Sequence, residues 1–131
     1  MVIDSSVLVS ILLAEPDRLP LELSIEADPI RLVSAVTKLE ASMVLIGREG
    51  QDGRGRLDRL LARMAATIVS FDDHQSEIAR DAFARFGKGR HRAGLNFGDC
   101  AAYALSKAEA EPLLFKGTDF GATDVEVVPL G

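Results

Sequence analysis

Short apolar runs set far apart are the feature that most narrows the choice of fold. They stand at residues 1–3, 31–33, 67–70 and 113–115, and the stretches between them carry helical spacing. No tight turn can join strands so separated, and a parallel return needs a crossover, usually a helix. The chain therefore reads as α/β on a parallel sheet of four to five strands, the fifth being an edge run at 125–128. No repeat, low-complexity tract or linker divides it, and 131 residues suit one domain spanning residues 1–131.

The elements follow from local chemistry. Asp4 and the Ser5-Ser6 pair suit the start of a helix running through Leu13, which Pro16 ends. A second helix is expected over residues 17–27, stopped by Asp28-Pro29. Ser34 caps a longer helix in which Val36, Leu39, Glu40, Met43 and Gly47 form one stripe, so Glu40 is expected on an apolar, inward face. Gly50, Gly53 and Gly55 predict a turn before a basic helix ending near Ala66. Asp72 and Asp73 open a helix through Phe86. Residues 87–98 hold four Gly with Lys88, Arg90, His91 and Arg92, and read as a mobile loop leading to a helix over residues 99–107.

Charge is segregated. The formal net is −5, yet residues 47–66 carry +2 and residues 80–92 carry +4, leaving the remainder at −11. This distribution allows one face that attracts polyphosphate beside a separate site that needs cations. For the first basic segment, arginines on a solvated helix face explain the pattern equally well. Aromatic residues make up 5% and Trp is absent, which argues against a base-stacking platform. Cys100 is the only cysteine, so no internal disulfide forms, and a reducing, cytoplasmic setting is expected. Asp4 interrupts the apolar N-terminus and the run after it is too short to cross a bilayer, so no membrane association is expected.

Four acids lie just beyond strand ends or on helices that leave strands: Asp4, Glu40, Asp99 and Asp119. Ligands of open α/β sheets sit outside the carboxyl ends of the strands, so these four can meet although remote in sequence. Crowded carboxylates bind protons or recruit a cation. Oxygen donors without His or Cys point to Mg²⁺ or Mn²⁺ rather than Zn²⁺, and such ions suit phosphodiester hydrolysis. The competing roles are structural: Asp4 and Asp99 as helix-start acids, Asp119 as a turn residue. Glu40 on a buried stripe would need a partner.

The strings VIDSS at residues 2–6, SAVTKLE at 34–40, LNFGDC at 95–100 and LLFKGTDF at 113–120 resemble the motifs of PIN-domain ribonucleases, specifically the VapC type of toxin from bacterial type II toxin-antitoxin systems. The match covers essentially the whole chain. The resemblance implies a three-layer α/β/α sandwich and a Mg²⁺- or Mn²⁺-dependent endoribonuclease that cleaves single-stranded RNA. It places Asp4, Glu40, Asp99 and Asp119 on the family's acidic positions, with Asp4, Asp99 and Asp119 toward the metal. Asp124 is near enough in sequence to substitute for Asp119. Ser6 and Thr118 fall on small hydroxyl positions, where capping is an equal explanation. The resemblance also implies a VapB-type antitoxin partner and a homodimer. A groove lined by Leu12 and Leu13 would suit an amphipathic partner helix, and Lys88, Arg90 and Arg92 are the expected RNA backbone contacts.

Three other readings fit less well. A receiver-like phosphoacceptor domain would use Asp72-Asp73 and Lys116, but it needs an acidic pair after the first strand, where only Asp4 stands, and gives Glu40 no role. A haloacid-dehalogenase-like phosphatase would need Asp at position 6, which is Ser. A catalytically inactive PIN-like binding module leaves four retained acids unexplained.

Overall fold

The computed structural model describes residues 1–130. Its elements in chain order are β1 (Val2–Ile3), α1 (Ser5–Leu12), α2 (Arg18–Ala27), β2 (Leu32–Ser34), α3 (Ala35–Glu49), α4 (Gln51–Arg63), β3 (Thr67–Val69), α5 (Asp73–Phe86), α6 (Phe97–Glu109) and β4 (Leu113–Leu114). A 3₁₀ turn, Phe120–Ala122, follows β4.

The four strands form one parallel sheet in the order β3-β2-β1-β4. Register is set by Val2 opposite Leu32 on one side and Leu113 on the other, and by Val33 opposite Ile68. Successive strand residues point to opposite faces. Ile3, Val33 and Leu114 accordingly join a core with Leu8, Leu21, Leu45 and Leu57, which seats α1 to α4 on one face. Val2 and Leu113 turn the other way, onto Ala82, Phe86, Ala102 and Leu105 of α5 and α6. This is the expected α/β/α sandwich. Truncating a fully buried leucine such as Leu8 or Leu57 would cost about 2–5 kcal/mol.

The edge strand expected at 125–128 is reduced to a bridge. Leu113 N–H donates to the Glu126 carbonyl (2.8 Å), and the Leu113 carbonyl accepts from Val128 N–H (3.0 Å); the pairing with Val127 is isolated. Pro129 lacks an amide hydrogen and cannot extend the ladder.

Three local expectations change. Gly53 and Gly55 lie inside α4 rather than in a turn, and only Gly50 marks the boundary, with φ +66°. Gly53 is required by contact: a Cβ there would stand 2.3 Å from the Leu45 carbonyl oxygen. The inward stripe on α3 is Thr37, Ala41 and Leu45. Leu39 is 59% and Met43 66% exposed, because the sheet takes the face one residue away and leaves Glu40 at its half-buried edge. The loop at residues 87–96 is clamped at its base: Lys88 N–H donates to the Leu95 carbonyl and Leu95 N–H to the Phe86 carbonyl (2.9 and 3.0 Å). His91 belongs to that clamp, since its Nδ1 accepts from Ala93 N–H and its ring meets Phe86 edge-on.

Among the described residues, no helix is long and apolar enough to cross a membrane.

Candidate active site

The chain leaves β1 toward β2 and β3 on one side and returns to pair β4 on the other. The switch point of the sheet therefore lies between the carboxyl ends of β1 and β4, where open α/β sheets leave a crevice. Asp4 follows β1 directly, and residues 116–119 follow β4.

Asp4 is the N-cap of α1. Its Oδ2 accepts from Ser6 N–H (3.1 Å) and Ser6 Oγ–H (2.6 Å). Ser6 Oγ in turn accepts from Lys116 N–H at 3.0 Å, which ties the end of β1 to the end of β4. The cap is thus Asp4, and Ser6 acts as its clamp. The other oxygen, Oδ1, is buried with no hydrogen-bond partner. Burial, with smaller contributions from the charges of Asp99 and Glu40, raises the Asp4 carboxyl to about 6 against the two Ser6 hydrogen bonds.

Glu40 extends from α3 to meet the first turn of α6. Ser5 Oγ–H donates to its Oε1 at 2.5 Å, and its carboxylate lies on Gly98, where a Cβ would fall 2.0 Å from Oε2. Asp99 occupies the third position of α6 in a capping box with Asn96: its Oδ2 accepts from Asn96 N–H (3.0 Å), and its own N–H donates to Asn96 Oδ1 (2.9 Å). Burial raises the Asp99 carboxyl as well; the Asn96 bond opposes that shift, and Asp119 and Glu40 add to it. Asp99 is thus both a helix-start residue and a member of the acidic neighbourhood.

Asp119 is exposed at the start of the 3₁₀ turn with no side-chain capping bond. Its charge is felt at Asp99. Thr118 is exposed beside it. Asp124 is engaged elsewhere, accepting from Tyr103 Oη–H (2.5 Å) and pairing with Arg85 (3.3 Å) and Lys107 (3.4 Å). Lys88, Arg90 and Arg92 are exposed, and none forms an ion pair among the described residues. Cys100 is buried, and its thiol is pushed up to about 11 by burial and the neighbouring Asp99, which makes it inert at neutral pH.

Asp4, Glu40 and Asp99 therefore share one electrostatic neighbourhood, with Asp119 at its rim. Among the described residues, no group of three or more His, Cys, Asp or Glu side chains is gathered into a set that could hold a metal ion. The donor chemistry nonetheless fits one. An orphaned buried oxygen costs about 1–3 kcal/mol, and a cation at Asp4 Oδ1 would satisfy it and relieve the repulsion that raises Asp4 and Asp99.

Ser5 looks like a capping residue in the sequence, and Gly98 like one of four loop glycines. Both act on Glu40, across 35 and 58 positions respectively, and no local pattern records such a contact.

Residues 1–126 match the family model described as PIN domain. The chain is 48% identical over 130 residues to Ribonuclease VapC30 of Mycobacterium tuberculosis, covering 99% of both chains. Its fold superimposes on the crystal structure of Mycobacterium tuberculosis VapC20, a Sarcin-Ricin loop cleaving toxin, with TM-score 0.79 at 13% identity and 97% of each chain covered. It also superimposes on a toxin-antitoxin complex from Klebsiella pneumoniae, with TM-score 0.74 at 19% identity, covering 99% of this chain and 97% of that one. With that match over residues 1–126 and that identity over nearly the whole of both chains, the chain belongs to the PIN-domain family, in its VapC branch.

Proposed function

We propose that this protein is a VapC-type toxin, an endoribonuclease that hydrolyses phosphodiester bonds in single-stranded regions of RNA with Mg²⁺ or Mn²⁺. The observation that carries the reading is Asp4 Oδ1, buried and unpaired, in the field of Asp99 and Glu40. The similarity to curated ribonucleases over nearly the full chain supports it.

Asp4 and Asp99 hold the cation in this proposal, and Asp119 joins them from the rim. A bound divalent ion supplies Lewis-acid polarisation of a phosphate oxygen and a more acidic water. Each protein group has its own task. Ser6 keeps Asp4 Oδ2 occupied and leaves Oδ1 free for the ion. The capping box fixes the Asp99 carboxylate against α6. Glu40, fixed by Ser5 and Gly98, is the group that accepts a proton from the attacking water. Thr118, exposed beside Asp119, donates to a phosphate oxygen in this proposal. Lys88, Arg90 and Arg92 meet the RNA backbone as uncompensated cations.

Asp72, which a receiver domain would use as a phosphate-pocket acid, is the N-cap of α5 and accepts from Gln75 N–H at 2.9 Å. Lys116 pairs with Glu15 and Asp17. These engagements favour the nuclease reading.

A VapB-type antitoxin is the proposed regulator, in keeping with the toxin-antitoxin complex whose toxin shares this fold. A homodimer would cover the exposed α3 side chains Leu39 and Met43. Residues 1–131 act as one functional domain in this reading, and a cytoplasmic setting suits an RNA target.

Incubating the purified protein with single-stranded and duplex RNA tests the activity. Cleavage of the single strand that stops with chelator and returns with Mn²⁺ is expected. Chelator-resistant cleavage, or none in any metal, would refute the assignment.

A further inference from the structure

The arginine-rich helix α4 has no part in the site at the switch point. Arg56, Arg59 and Arg63 follow three- and four-residue spacing and share one helix face. With Arg18 of α2 and Ile11 and Leu12 at the end of α1, they line a cavity of about 200 Å³ that has no acidic residue in its wall. Two of the four cations are compensated. Arg56 Nη1 donates to both oxygens of Glu49 at 2.5 and 2.8 Å, and Arg18 pairs with Glu22 at 3.1 Å. Arg59 and Arg63 are exposed and form no ion pair among the described residues.

The cavity is held in place by protein contacts. Arg56 Nη2 donates to the Leu12 carbonyl at 2.5 Å, which fixes α4 against the carboxyl end of α1. The amino end of the same helix is capped by Asp4. Eight helical residues span about 12 Å, so one extended strand can touch both ends. Glu15 and Asp17 follow α1 in the chain, and Lys116 pairs with both.

Guanidinium groups match phosphate oxygens through paired N–H donors. Arg59 and Arg63 are one turn apart, about 6 Å between Cβ atoms. Two uncompensated cations at that spacing suit consecutive phosphates better than a single carboxylate. We propose that the Arg18-Arg56-Arg59-Arg63 cavity binds backbone phosphates of the RNA substrate, away from the bond that is cut. The inference rests on the ribonuclease reading and adds a second contact region to it.

The experiment measures fluorescence anisotropy of a labelled single-stranded RNA with chelator present, which prevents cleavage, across a salt series. Wild type is compared with Arg59→Ala/Arg63→Ala, Arg59→Lys/Arg63→Lys and Arg54→Ala, the last on another face of α4. All are first shown to melt like wild type. The double alanine variant is expected to bind about tenfold more weakly at low salt, with the salt slope reduced by about 1.4 for two lost phosphate contacts. The lysine pair should keep the slope, and Arg54→Ala should match wild type. Wild-type affinity and slope in both double variants would overturn the proposal. So would unchanged RNA binding together with lost binding of a hexaglutamate peptide, which assigns the cavity to an acidic protein segment. Failure of wild type itself to bind RNA would remove the ribonuclease reading, whereas equal binding by wild type and variants removes the cavity alone.

Discussion

The carboxylate of Glu40 lies against the α-carbon of Gly98, with no room between them for a methyl group: a Cβ built there would stand 2.0 Å from Oε2 and 2.5 Å from Oε1. The neighbour is the flexible end of a side chain, so a larger residue here moves Glu40 rather than the backbone. Because Asp99 is the next residue, the approach of α3 to α6 at Gly98 also sets the separation of two acids.

Gly98→Ala is therefore expected to displace Glu40. Overpacking of this kind costs about 1–3 kcal/mol, and a displacement of about 1 Å at a reacting group can lower the rate about a hundredfold. Thermal unfolding and RNA cleavage measured together should show a small stability loss with a large activity loss. Wild-type cleavage by the alanine variant would remove Glu40 from the chemistry.

Ser5→Ala removes the hydroxyl that donates to Glu40 Oε1. A hydrogen bond to a charged group contributes about 1.5–3 kcal/mol, so single-turnover cleavage should slow roughly tenfold or more, while Mn²⁺ affinity changes little because Asp4 and Asp99 are untouched. Equal losses in cleavage and metal affinity would place Glu40 among the metal ligands instead.

Asp4 gives a pH-dependent signature in metal-free protein. Its value of about 6 lies above the ordinary 3.8, so the folded state favours the protonated form. The stability from that protonation is fully present below about pH 4 and is lost as pH rises through 6. Asp4→Asn should therefore raise the unfolding free energy by about 1–2 kcal/mol at pH 7.5 relative to wild type, with the gain fading by pH 4. Denaturant titrations at both pH values check this, and a variant less stable at pH 7.5 would contradict it.

The glycines at the α3–α4 junction separate steric need from conformational freedom. Gly53→Ala would place a Cβ 2.3 Å from the Leu45 carbonyl oxygen and should cost about 1–3 kcal/mol. Gly47 has nothing within 4 Å of its built Cβ and no positive φ, so Gly47→Ala should stabilise the helix by about 0.5–1 kcal/mol. Chemical denaturation of the two variants should move in opposite directions.

Much of the fold was legible because its signals are local. Ser34 and Asp72 cap helices where expected, and the four main apolar runs became the parallel strands. The α3 stripe was misread because Leu39 and Met43 obey helical spacing but face away from the sheet, and spacing alone does not say which of two apolar stripes is covered. Gly53 and Gly55 looked like turn residues because a helix crossing that needs glycine leaves the same trace in sequence as a turn. Asp4 was legible as an acid just beyond a strand and Asp99 as a helix-start acid. The supports of the acids, Ser5, Gly98 and the Asn96 partner of Asp99, arise from tertiary contact and from a helix that begins two residues earlier than expected.

The most direct measurement is calorimetric titration of Mn²⁺ into wild-type protein, Asp4→Asn and Asp99→Asn at neutral pH. The expected result is saturable binding by wild type, weakened at least about tenfold in either variant, since removing one of few carboxylate donors strips charge from the ion's shell. Isotherms that coincide for all three proteins, or no binding by wild type, would contradict a shared cation at the acids.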